Sequence, residues 1–132
     1  IFVARVAGNF ENTDILGSLE YSCAVAGSKL VLVLGHESCG AVKAACDGVQ
    51  LGNITSMLSN IMPAVKKSAN EVNGENNSSN NEFVAKTVEN NVLLTIERIR
   101  EKSKILKEME DKGTIEIVGG VYSLQTGKVN ML

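Results

Sequence analysis

The 132 residues contain one histidine, one proline, no tryptophan and only three phenylalanines and two tyrosines. Thirteen basic residues face fifteen acidic ones, with no cluster of Lys or Arg. The charge footprint and the aromatic stacking platform of a nucleic-acid binder are therefore both missing. No apolar run approaches the roughly 20 residues that a membrane-spanning helix needs, so no membrane partner is expected. Three cysteines are an odd number in a chain rich in aliphatics, which argues against a disulfide framework. A secretory signal pattern is lacking as well. The chain opens on "IFVARVAGN" without Met and reads as though a segment precedes it. The length predicts a single domain over residues 1–132, expected to be N-terminally incomplete and soluble. Whether it resides in cytoplasm or periplasm is left to that N-terminus.

What is present alternates between strand and helix. Ile1–Ala4 is a short apolar run, read as a strand that ends at the turn-forming Gly8-Asn9. Asp14 is placed to cap a helix running to about Ala26, with Ile15, Leu19, Cys23 and Ala26 on one face and Gly27 as its stop. Leu30–Leu34 is apolar on both faces, the pattern of a parallel strand covered by helices. A helix follows Cys39 to about Cys46, and Ile54 to Ala69 is helical with a break near Pro63. Asn70–Asn81 has almost no apolar content and reads as a solvated loop. Val84, Val88, Val92 and Ile96 then mark one face of a long helix over Glu82–Glu101. Ser103 caps a short helix that Gly113 ends, and "TIEIVGGVYSL" and a last short strand follow. The sum is an α/β fold, a mostly parallel sheet with helices on both faces, whose ligands bind at the carboxyl ends of the strands.

At one such end lies "LGHESCGAVKAA". Gly35 and Gly40 have phosphate-loop spacing, but Ala41 and Val42 stand where Lys and Ser/Thr would grip phosphate. A dinucleotide glycine fingerprint is also absent. Two readings remain. His36 is a turn histidine and Cys39 a small buried residue, or the two converge on a metal ion. Imidazole and thiolate are preferred zinc donors, and a two-residue spacer at a strand-to-helix turn lets both point at one ion. Cys39 would also sit at a helix start, which favours its thiolate. The pair still supplies only two ligands.

"GHESCGAVKAA" resembles the zinc-binding stretch of the β-class carbonic anhydrases, with its pattern G-H-x-x-C-G. "FVARVAGN" resembles the family's V-x-R-N-A-G-N segment, with Val6 in place of Asn. "GSLEYSCAVAGSKLVLVLGH" is similar to the helix and strand leading to the histidine, and "IEIVGGVYSLQTGKVNML" to the closing strand and its Y-x-x-x-T-G turn. The resemblance implies that His36 and Cys39 are two of three protein ligands to Zn2+, in an enzyme that reversibly hydrates carbon dioxide to bicarbonate and a proton. It implies further that Ala7, Gly8, Asn9 and Gly40 line the site, and that the protein forms a homodimer or higher homo-oligomer.

The sequence also departs from that family. The family's third ligand, a cysteine, lies in a C-x-D-x-R motif whose Asp and Arg orient the reacting water, and none of the three has a counterpart in residues 1–132. No residue of this chain is therefore assigned a catalytic role, and these residues by themselves are expected to be impaired. The motif's strand lies centrally in the family's sheet, between those at Ile1 and Leu30, so its absence predicts an open sheet edge. Cys23 and Cys46 match no ligand position and read as buried small hydrophobes. Arg5 reads as a structural charge, and Glu37 is assigned no role. Two alternatives to the enzyme stay open. One is a non-catalytic or degenerate zinc-binding subunit. The other is a related hydrolase of a small heteroallene such as carbon disulfide.

Overall fold

The longest apolar stripe organises the fold. In a computed structural model describing residues 1–132, Val84, Val88, Val92 and Ile96 are all buried along α5 (Asn81–Lys102). This helix starts where Asn80 caps it, the side-chain oxygen accepting from the Phe83 amide at 3.3 Å. The Asn80 amide group meanwhile donates to the carbonyls of Asn73 (3.2 Å) and Glu75 (3.0 Å). The Asn-rich loop is thereby tied to the helix start. The loop is pinned a second time, since the Asp47 carboxylate accepts from the Ser78 amide (2.8 Å) and hydroxyl (2.7 Å).

Against α5 lies the sheet. β1 (Leu30–His36) and β2 (Glu116–Tyr122) run parallel, with Val31 opposite Ile117 and His36 opposite Tyr122. β3 (Val129–Met131) is antiparallel to β2. Val31, Val33 and Ile117 pack with Val92 and Ile96 in one buried cluster. Two glycines permit that approach. A Cβ on Gly35 would lie 2.8 Å from a Val92 methyl, and one on Gly119 only 2.6 Å from the other. A side chain at either position would push α5 off the sheet.

The remaining helices close around this pair: α1 (Thr13–Glu20), α2 (Gly40–Cys46), α3 (Gly52–Ser59), α4 (Met62–Ala69) and α6 (Lys104–Asp111). A second cluster joins Phe10, Cys39, Val42, Leu58, Ile61 and Phe83 beneath α2. Pro63 falls in the first turn of α4, and the Ser103 hydroxyl accepts from the Leu106 amide at 3.2 Å to cap α6, both as the sequence predicts.

Three expectations need correction. Ile1–Ala4 is not a strand: it pairs with nothing, and Ile1, Phe2 and Val3 are exposed. An apolar run becomes a strand only when a neighbour supplies hydrogen-bond partners, and β1 bonds to β2 alone, leaving its other edge open. The predicted two-sided cover of β1 is also incomplete. Val31 and Val33 are buried, but Leu30, Leu32 and Leu34 remain 54, 41 and 40% exposed on the opposite face. The first helix, finally, is capped by Asn12, whose side chain accepts from the Ile15 amide at 2.9 Å, so that Asp14 sits within the first turn. After Glu20 the helix widens into a π turn over Tyr21–Val25. The wider turn rotates the later residues, burying Ser22 and Cys23 while Ala26 is exposed.

Candidate metal centre

β1 delivers His36 as its last residue, at the carboxyl end of the parallel pair. Its ring Nδ1 lies 2.8 Å from the carbonyl oxygen of Glu37. A carbonyl can only accept, so Nδ1 carries the hydrogen, and in the neutral ring Nε2 then keeps its lone pair. That is the tautomer of a histidine able to ligate through Nε2, with the other nitrogen held by a backbone carbonyl. The chain then makes a tight turn in which Ser38 takes a φ of +53°, a left-handed value uncommon for any residue but glycine. This turn brings Cys39 to the residue before α2, where its side chain makes no capping hydrogen bond. Cys39 is a free thiol, 5% exposed, packed in the cluster beneath α2.

Ala7 and Gly8 form a turn, and its conformation is one that Gly8 requires, with φ at +88°. The Asn91 amide group donates to the Gly8 carbonyl at 2.6 Å, tying this turn to α5. The Asn9 side-chain oxygen lies 3.7 Å from where a Cβ on Gly35 would be, so Asn9 reaches the residue before His36. Two buried polar atoms nearby lack partners, Asn9 Nδ2 and Asn91 Oδ1. Gly40 opens α2 with free space around it.

Cys23 and Cys46 are both buried and free. Burial pushes both thiols up, and for Cys46 the Asp47 charge adds to the rise while hydrogen bonds from Thr87 and its own backbone only partly oppose it. Both lie in the apolar clusters and fit the role of small core residues. No group of three or more His, Cys, Asp and Glu able to hold a metal ion is assembled in the structure. Donor chemistry at His36 and Cys39 suits zinc, but the chain brings no third donor to them.

The sequence gives little notice of the supports around this loop. Asn91 interrupts the apolar face of α5 beside Val92, and a buried amide among valines is the one signal that could have marked it. Glu37, assigned no role above, accepts from the Ser123 hydroxyl and the Leu124 amide, both at 3.0 Å.

A family model described as carbonic anhydrase matches residues 1–129. The chain belongs to the β-carbonic anhydrase family. It is 33% identical over 132 residues to a carbonic anhydrase of Mycolicibacterium smegmatis, covering 99% of this chain and 62% of that protein. Carbonic anhydrase 2 of Mycobacterium tuberculosis is 32% identical, over 97% of this chain and 60% of its own length. The chain thus spans about 60% of these curated relatives. Among solved structures, the Coccomyxa β-carbonic anhydrase in complex with acetazolamide superposes with a TM-score of 0.83 at 28% identity, covering 99% of this chain and 60% of that one. A β-carbonic anhydrase of Sordaria macrospora, described as tetrameric, gives 0.85 at 21% identity over 99% of this chain and 67% of that one, which shows the shared fold. No helix of the chain is long and apolar enough to cross a membrane.

Proposed function

We propose that this protein belongs to an enzyme that reversibly hydrates carbon dioxide to bicarbonate and a proton, with His36 and Cys39 as two protein ligands of a catalytic zinc. The observation that carries the reading is the His36 ring. Its Nδ1 is satisfied by the Glu37 carbonyl, which leaves Nε2 free three residues before a free thiol at the end of a parallel strand. In this reading the third protein ligand is the family's cysteine, for which residues 1–132 have no counterpart. The zinc would supply Lewis acidity and the activation of water at neutral pH. The chain's own share is positional. His36 presents a lone pair, Cys39 a thiolate from its buried place at the start of α2, and Ala7, Gly8, Asn9 and Gly40 line the approach. An alternative, a zinc-binding subunit without catalysis, draws on the donor set within residues 1–132, where no group of three is assembled.

The test is metal content. Protein carrying a C-x-D-x-R segment ahead of Ile1 is expected to hold about one zinc per chain, and its Cys39→Ser variant to lose most of it. Equal zinc in both would remove Cys39 from the ligand set. Carbon dioxide hydration by the zinc-loaded protein then separates enzyme from silent subunit.

The same reading carries a homo-oligomer, as in the Sordaria enzyme described as tetrameric. Leu30, Leu32 and Leu34 form an exposed apolar row of the kind that subunits bury. Light scattering is expected to return a mass of at least two chains, and a monomer at working concentration would contradict it.

A further inference from the structure

We propose that Glu37 is a positioning residue for His36, acting through its carboxylate on the turn that follows β2. Glu37 sits between the two residues assigned to zinc, so this inference rests on that reading for its purpose, though not for its geometry. Three bonds tie residue 37 to the end of β2. Its amide donates to the Tyr122 carbonyl at 3.0 Å, extending the β1–β2 ladder by one step. Its Oε2 accepts from the Ser123 hydroxyl and from the Leu124 amide, each at 3.0 Å. Ser123 is itself fixed, 5% exposed, its amide donating to the Lys128 carbonyl at 2.8 Å and its carbonyl accepting from Gly127 at 2.9 Å.

The consequence falls on the Glu37 peptide. With the amide and the side chain both anchored, N, Cα and Cβ of residue 37 are held and only its ψ is left to aim the carbonyl. It is this carbonyl that accepts the hydrogen of His36 Nδ1 at 2.8 Å. The path runs from the Ser123–Leu124 turn to the Glu37 carboxylate, to the Glu37 carbonyl, to the imidazole. Such an anchor is needed here, because the next residue, Ser38, holds a left-handed φ of +53°. That conformation disfavours a serine, and an unanchored loop would relax from it. A carboxylate also accepts from two donors more strongly than a neutral oxygen does. A merely structural role for Glu37 would hold the two turns together without setting which ring nitrogen bears the hydrogen.

The readout follows from that distinction. In alkaline solution, where imidazole is neutral, long-range nitrogen–proton NMR reports the tautomer of the chain's only histidine without any metal. In the native chain the hydrogen is expected mainly on Nδ1. Glu37→Ala should raise the Nε2–H form about fivefold, the ratio that one net hydrogen bond supports. Glu37→Gln keeps an acceptor oxygen and should return most of the native distribution. Ser123→Ala, which removes one anchor from the other side, should shift the tautomer in the direction of Glu37→Ala and decides the matter should that variant not fold. An unchanged tautomer in the folded Glu37→Ala or Ser123→Ala protein would overturn the proposal, as would a native chain with the hydrogen on Nε2. Because no metal enters the measurement, a Glu37-dependent tautomer stands even if Cys39→Ser leaves zinc content unchanged and the metal reading falls.

Discussion

Phe83→Ala is expected to cost about 3–5 kcal/mol of folding free energy, close to the upper limit for a single core substitution. Phe83 is fully buried in the first turn of α5, in the same cluster as Phe10, Cys39, Val42 and Ile61. Ile61 is itself fully buried and Val42 is 1% exposed, so the cavity left behind cannot collapse cheaply. For a domain whose total stability is about 5–15 kcal/mol, such a loss should lower Tm by roughly 10–20 °C. The effect should reach the candidate metal centre as well. Cys39 is buried in this cluster, and removing the ring should speed its reaction with a thiol reagent under native conditions, where Cys23, which lies in the other cluster, serves as an internal control. Urea denaturation and timed thiol labelling measure the two effects. A loss below about 1 kcal/mol would show that the cluster relaxes around the gap.

Much of this architecture was legible from residues alone, and the exceptions share a cause. Val84, Val88, Val92 and Ile96 announced α5 because a helix's buried face is written at its own period. Ser103 announced the start of α6 because a cap is a local bond. His36 and Cys39 stood out as a short motif at a strand end. Ile1–Ala4 misled because composition shows that a segment can pair, while pairing itself depends on a neighbour. Leu30, Leu32 and Leu34 misled in the same way, since apolar residues on a second face record a need for cover and not its source. Glu37 escaped notice for a related reason. Its partners Ser123 and Leu124 lie 86 and 87 positions away, and no local pattern links a carboxylate to a turn at that distance. At Asn12 the cause was different: Asn12 and Asp14 are both good caps two residues apart, and the extended backbone at Asn12 decided between them.

The second large effect is expected at Arg98, with a pH dependence that identifies its origin. Glu11 has a side chain only 2% exposed, and it holds two cations of α5: Arg98 at 2.9 Å, itself 20% exposed, and Lys102 at 2.7 Å. Burial alone would raise the Glu11 carboxyl, but hydrogen bonds from Lys102, its own backbone and Arg98, with the Arg98 charge, outweigh it and leave it below its ordinary value of 4.5. A carboxylate lowered in the folded state contributes stability that is present above 4.5 and is lost as pH falls through the folded value. Arg98→Ala leaves that buried charge to Lys102, which is half exposed and a single-point donor. Removing one partner of a buried pair costs about 3–5 kcal/mol, and with Lys102 remaining the loss at pH 7 should fall near the lower end. Urea denaturation of native and variant protein should show that gap at pH 7 and a much smaller one in acid below the lowered folded value of Glu11, where the carboxyl is protonated and needs no cation. A gap of equal size at both pH values would assign the effect to packing of the arginine stem instead. The site has a stake in the answer. Glu11 follows directly on Gly8, Asn9 and Phe10, so the bonds from Arg98 and Lys102, together with the Asn91 bond to Gly8, fasten that segment along α5. Loosening Glu11 should therefore release Asn9 from its place beside Gly35, one residue before His36.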